Sequence, residues 1–117
     1  MASQYVRLME PMVLSGSKQS ETERVADLGA YKTLEVEFLI FAQVDSGVTS
    51  FELKLQHASV NEEDAFVDLS GATVSLKTGA TSHVSVSNFL RYVRWVSILS
   101  GSITTPPVVG IDIVAKE

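Results

Sequence analysis

The sequence predicts an all-β protein, an antiparallel β-sandwich of seven or eight strands. In residues 50–57, Phe51, Leu53 and Leu55 alternate with Glu52, Lys54 and Gln56, the period-two pattern of a half-buried antiparallel strand. Comparable stretches recur at short spacing with turn residues between them, which argues for a sandwich or barrel rather than a parallel sheet with helices. The 117 residues include no cysteine. One domain of this length buries roughly two thirds of its unfolded surface, and here it must stand on apolar burial and the hydrogen-bond ladder without disulfides.

Residues 4–14 alternate loosely, with Tyr5, Arg7 and Met9 against Val6, Leu8 and Glu10, until Pro11 breaks the run. Proline cannot donate to a ladder, so residues 1–16 read as an extended N-terminal arm or edge strand and residues 17–117 as a single sandwich domain. Ser15 to Glu21 read as a polar loop. Ser20 and Glu23 have capping-box spacing, which allows a helical turn over residues 22–28, against the alternative of a strand ending at Asp27-Leu28-Gly29.

Residues 33–44 form the longest predicted element. Leu34, Val36, Phe38, Ile40, Ala42 and Val44 line one face, and Glu35 and Glu37 begin the other before Leu39 and Phe41 interrupt it. The far half of this strand is therefore expected to be covered on both sides, by a loop or by another subunit. Asp45-Ser46-Gly47 then signals a hairpin into the strand at 50–57. An acidic turn, Asn61-Glu62-Glu63-Asp64, leads to a short strand at 65–69 closed by Ser70-Gly71, and further strands follow at 72–77 and 83–87. Residues 88–99 carry apolar side chains in both registers: Phe89, Val93, Trp95 and Leu99 oppose Leu90, Tyr92, Val96 and Ile98. Pro106-Pro107 marks a rigid connection into a last strand at 108–115. Phe38, Ile40, Leu53, Leu55, Val74 and Trp95 are the expected core.

Nine basic against fourteen acidic residues give a formal charge of −5, which disfavours a role based on phosphate neutralisation, so nucleic acid is not an expected partner. Strand alternation sets Arg91 and Arg94 on opposite faces, and they make no basic patch. The longest apolar run, residues 38–42, is far below the roughly 20 residues of a membrane helix, and the first five residues have no signal-peptide pattern. The expectation is a soluble protein made inside a cell, with no membrane partner.

Little in the chain promises covalent chemistry. His57 and His83 are its two histidines, and neither has ligand-spaced company for a metal. There is no Gly-x-Ser-x-Gly elbow. Glu35 and Glu37 sit side by side on one strand face, where a glycosidase would oppose two carboxylates across a cleft. The acidic turn lacks the glycine and spacing of a calcium loop. Trp95, between apolar neighbours in a strong strand, reads as a core anchor rather than a sugar platform. No catalytic residue, metal or cofactor is expected.

Four strings, Asp27-Leu28-Gly29-Ala30-Tyr31, Phe51-Glu52-Leu53-Lys54-Leu55-Gln56, Phe66-Val67-Asp68-Leu69 and Leu90-Arg91-Tyr92-Val93-Arg94-Trp95, occur in this order. In that order they resemble small jelly-roll-like β-sandwich proteins of tailed bacteriophages and related particles. The resemblance covers about residues 25–115. It implies a non-enzymatic virion component, a head decoration or minor head or tail protein assembled in the host cytoplasm. Its partners would be further copies of itself, as a homo-oligomer, and a larger capsid or tail protein. Tyr5, Val6, Leu8 and Met9 in the arm, with Leu39 and Phe41, are the expected contact residues. Similar strings occur in carbohydrate-binding jelly rolls, so a sugar-binding module is the alternative, and it would need Trp95 or Tyr92 exposed. An enzyme would need His57 or His83 to meet a carboxylate in a cleft.

Overall fold

A computed structural model of the chain describes residues 3–16, 18–19, 25–41, 48–76, 81–101, 103 and 106–117. Nine strand segments follow one another: β1 (Ser3–Val13), β2 (Lys18–Gln19), β3 (Ala26–Asp27), β4 (Thr33–Ile40), β5 (Val48–Ala58), β6 (Val67–Ser75), β7 (Ser82–Ser87), β8 (Tyr92–Gly101) and β9 (Val108–Lys116). A 3-10 turn, Glu63–Ala65, precedes β6. Sheet I has the order β1-β9-β4-β7, and sheet II has β2-β8-β5-β6 with β3 also on β8. β2 and β3 lie along the same edge of β8, pairing with Ser97-Val96 and Val93-Tyr92. The eight strand positions nest as antiparallel pairs, β1 with β9, β2/β3 with β8, β4 with β7 and β5 with β6. That is the jelly-roll arrangement of two packed sheets.

The core lies between the sheets. Leu34, Val36, Phe38 and Ile40 of β4 and Val109, Ile111, Ile113 and Ala115 of β9 face Phe51, Leu53 and Leu55 of β5 and Val93 and Trp95 of β8. Of the expected core, five residues are buried, and Val74 packs against it half-buried.

The nested topology corrects several readings. β4 and β5 lie in different sheets, so the turn residues between them do not close a hairpin; residues 45–47 themselves lie outside the described set. Turn chemistry reports a change of direction, whereas the partner strand is chosen by which apolar faces must meet across the core. Residues 65–69 and 72–77 do not form two strands. β6 runs through Gly71, whose φ of 84° is a left-handed conformation that favours glycine. Between its pairings with Lys54 and Gln56, β6 carries three extra residues, and this bulge lets both Leu69 and Ala72 face inward. β8 begins at Tyr92, four residues later than expected, after Asn88 reverses the chain at φ 59°. Of the two readings for residues 22–28, the strand ending at Asp27 holds for residues 26–27, and residues 22–24 lie outside the described set.

β1 departs from alternation for a visible reason. Its register against β9 shifts once between Arg7 and Met9 and again between Met9 and Met12. The first bulge turns two consecutive side chains, Leu8 (5% exposed) and Met9 (2%), into the core. The second lies at Pro11, where a missing ladder donor costs nothing. Gly110 of β9 accommodates it: a Cβ there would meet Met9 O at 3.2 Å and Pro11 N at 3.3 Å.

Candidate interaction surfaces

The outer face of sheet I divides into a charged half and an apolar corner. Cross-strand register sets Tyr5, Val114, Glu35 and Ser85 in one row and Arg7, Asp112, Glu37 and His83 in the next. Arg7 clamps Asp112 through Nε to Oδ1 at 2.9 Å and Nη2 to Oδ2 at 3.2 Å, and its Nε also reaches the Tyr5 hydroxyl at 3.2 Å. Asp112 and Tyr5 hold the Arg7 guanidinium protonated to well above its ordinary range. Glu35 accepts from the Ser85 hydroxyl and lies 3.2 Å from His83 Nε2. Its pKa is lowered, first by the Ser85 hydrogen bond and then, against the cost of desolvation, by Lys116 and His83.

Beyond this half the face turns apolar. Leu39 pairs with Gly110, Val13 pairs with Val108, and the Phe41 amide donates to the Val108 carbonyl at 2.9 Å. Three strands therefore bring Val13, Val108, Leu39 and Phe41 to one corner, where Phe41 is 59% and Val13 52% exposed.

Of the six contact residues expected from sequence, Leu39 and Phe41 stand in this corner, and Tyr5, 57% exposed, stands in the charged half. Val6 is half-buried against the core. Leu8 and Met9 are corrected: both are filled into the chain's own core by the β1 bulge, and residues 3–13 are a sheet strand rather than a free arm. Val13 and Val108 were not identified from sequence. Nothing local marks them, since they join Phe41 only through the register of β1 on β9 on β4.

Around Arg94 the outer face of sheet II is covered by its own chain. Arg94 is 6% exposed. Its Nε and Nη2 donate to Gln56 Oε1 at 3.0 and 2.8 Å, its Nη1 donates to Glu63 Oε2 at 2.9 Å, and the Phe66 ring lies 4.2 Å from the guanidinium carbon. Gln56 Nε2 passes the network on to Asp68 Oδ1 at 3.0 Å, and Lys54 Nζ donates to Asp68 Oδ2 at 2.9 Å. Gln56 and Lys54 lower the Asp68 pKa. Thus the acidic turn closes over sheet II, and this side has no open charged patch at Arg94.

Two of the strings that carry the phage resemblance meet in space. Asp27 accepts from Arg91 Nε and Nη2 at 3.0 and 2.9 Å and from the Gly29 amide at 3.3 Å, while the Leu28 amide donates to the Arg91 carbonyl. Arg91 also lies over the Tyr92 ring, 5.1 Å from its centre. The bidentate pair pins the start of β8 to the turn before β4 and lowers the Asp27 pKa.

The histidines are placed apart. His57 Nδ1 accepts the Leu90 amide at 3.0 Å, and His57 helps line an open depression of about 380 Å³ between the edges of β6 and β7, with Asp68, Ser70, Ser85, Ser87 and Asn88 among its walls. His83 meets Glu35 on an open sheet face. There the carboxylate receives the serine hydroxyl directly, whereas in a nucleophilic triad the imidazole stands between serine and carboxylate. Among the described residues no group of three or more His, Cys, Asp or Glu is placed to hold a metal ion. Trp95 is buried and cannot serve as a sugar platform; Tyr92 is half-buried beneath Arg91.

No protein-family model matches the chain, and no curated protein matches it. Among solved structures it is similar to the crystal structure of the SPBc2 prophage-derived protein YomS, with a TM-score of 0.55 and 15% sequence identity over 97% of this chain and 93% of that one. The likeness is one of fold, over nearly the whole of both chains.

Proposed function

We propose that this chain is a non-enzymatic structural component of a phage virion or related particle, a head decoration or minor head or tail protein that docks on a larger shell or tail protein. The observation that carries this reading is the corner of Leu39, Phe41, Val13 and Val108. It is an apolar patch beside the charged and hydrogen-bonded half of the face, with Leu39, Val13 and Val108 on three strands of sheet I and Phe41 one residue past the end of β4, tied to Val108 by its backbone amide. Burying an exposed side chain such as Phe41 is worth up to about 1.5–3 kcal/mol, and the half-buried Leu39 adds less, so a partner that covers the corner gains an anchor, with the Arg7–Asp112 and Glu35 groups as a polar rim. A phage setting is supported by the fold shared with a prophage-derived protein and by the order of the four strings quoted above.

Particles sedimented from cells that carry the source prophage or phage test this. The parent chain is expected in the particle fraction, and Leu39→Glu with Phe41→Lys is expected in the supernatant with its β-sheet circular dichroism unchanged. A parent chain absent from particles, or a double variant that co-sediments as the parent does, overturns the reading.

A further inference from the structure

We infer that two copies of this chain join edge to edge through β7, extending sheet I across a two-fold axis at Ser85. This goes beyond docking on a shell, because it uses a different surface and a different partner, a second copy of the chain.

Each sheet edge other than β7 carries a device that blocks strand addition. β1 has two bulges, Pro11 and the charges of Arg7 and Glu10. β6 is broken by its three-residue bulge at Gly71 and presents Asp68. β2 and β3 are two residues each. β7 has none of these. It pairs with β4 over six consecutive residues without a register shift, contains neither proline nor glycine, and has His83 as its one titratable side chain. Among the described residues no strand pairs with its other edge, where every second residue of an antiparallel strand points its N–H and C=O outward.

The occupant is a second copy because the segment is self-complementary. Ser82-His83-Val84-Ser85-Val86-Ser87 is nearly symmetric about Ser85. In an antiparallel pair centred there, Ser85 faces its own counterpart, Val84 faces Val86, and His83 faces Ser87. Parity is kept, so the inward valines of both copies continue one apolar face, and the small outward serines bring no like charges together. A two-fold pairing of this kind also terminates itself. The eight-stranded sheet it creates, β1-β9-β4-β7 and its mirror order, ends in β1 on both sides, where bulges and proline stop further growth.

Because the chain has no cysteine, Ser85→Cys gives a clean readout. The parent is expected to sediment at twice 12.7 kDa at tens of micromolar, and Ser85→Cys is expected to cross-link with itself on oxidation. The matched control Ser59→Cys, at an exposed serine in the bend after β5, is expected not to. Ser85→Lys crowds two long cationic side chains against each other at the axis, where two serines would meet, and should weaken the dimer at least about tenfold, with the β-sheet circular dichroism of the monomer unchanged. A parent that stays monomeric at these concentrations overturns the inference. So does an oligomer that Ser85→Lys leaves intact, or a Ser85→Cys variant that cross-links no faster than Ser59→Cys.

Discussion

The guanidinium carbon of Arg94 lies 4.2 Å from the centre of the Phe66 ring, and Gln56 and Glu63 accept three hydrogen bonds from its nitrogens. One buried cation thus fastens the acidic turn to the outer face of sheet II. Arg94→Lys keeps the charge but loses the forked contact with Gln56 and the flat surface under Phe66. It is expected to cost about 1–3 kcal/mol in urea unfolding, because Gln56 and Glu63 lose partners. Phe66→Leu should cost less, about 0.5–2 kcal/mol, the scale of a cation–π contact with its packing. Two variants with indistinguishable midpoints to the parent would show that the turn is held by something else.

Leu53 sits at the centre of β5 with no exposed surface, between Ser97 of β8 and Val74 of β6. Leu53→Ala should lose about 2–5 kcal/mol by removing buried methyls and leaving a cavity. A loss below about 0.5 kcal/mol is what a surface site shows, and would contradict the strand register.

Truncation before Ser15 separates a sheet strand from an accessory arm. β1 contributes Leu8 and Met9 to the core, with Leu14 just beyond it, and the ladder against β9, so removal of residues 1–14 should abolish the cooperative transition. A truncated chain that keeps the parent's melting temperature would mean that β1 is dispensable to the sandwich.

Acid should weaken the fold by a route that can be traced to three carboxyls. Asp27 is held below its ordinary pKa by Arg91, Glu35 by the Ser85 hydroxyl and Asp68 by Gln56 and Lys54. A folded pKa below the unfolded one means that the native state binds fewer protons, so the stability from these groups is complete above the usual carboxylate values of about 4 and is lost as pH falls through the depressed ones. All three are partly exposed, which keeps the effect modest. Melting temperatures measured from pH 7 to pH 2 should fall below about pH 4. They should fall less steeply in the combined Asp27→Asn, Glu35→Gln and Asp68→Asn variant. Equal slopes would assign acid sensitivity to other groups.

The non-enzymatic reading predicts that His57→Gln with His83→Gln retains assembly at neutral pH, with a small loss of stability from the Leu90 amide that His57 accepts. Detection of a hydrolytic or transfer activity in the parent that this folded double variant lacks would overturn it.

Alternation alone read most of the core and two strands, one expected over 33–44 and found over Thr33–Ile40, with residues 42–44 outside the described set, and one expected over 50–57 and found within Val48–Ala58, because a strand's inward face can be read wherever period two is unbroken. It also marked Leu39 and Phe41 as side chains out of place on a polar face. The sequence could not assign Leu8 and Met9 to the core, because a bulge changes parity and is set by how β1 must follow β9. It could not bury Arg94, whose cover arrives from a turn 28 to 31 positions earlier in the chain. Nor could it join Val13 and Val108 to Phe41, or place β4 and β5 in opposite sheets. Those decisions belong to the tertiary structure, since pairing between strands distant in sequence depends on which apolar faces close over one another, and no window along the chain contains both.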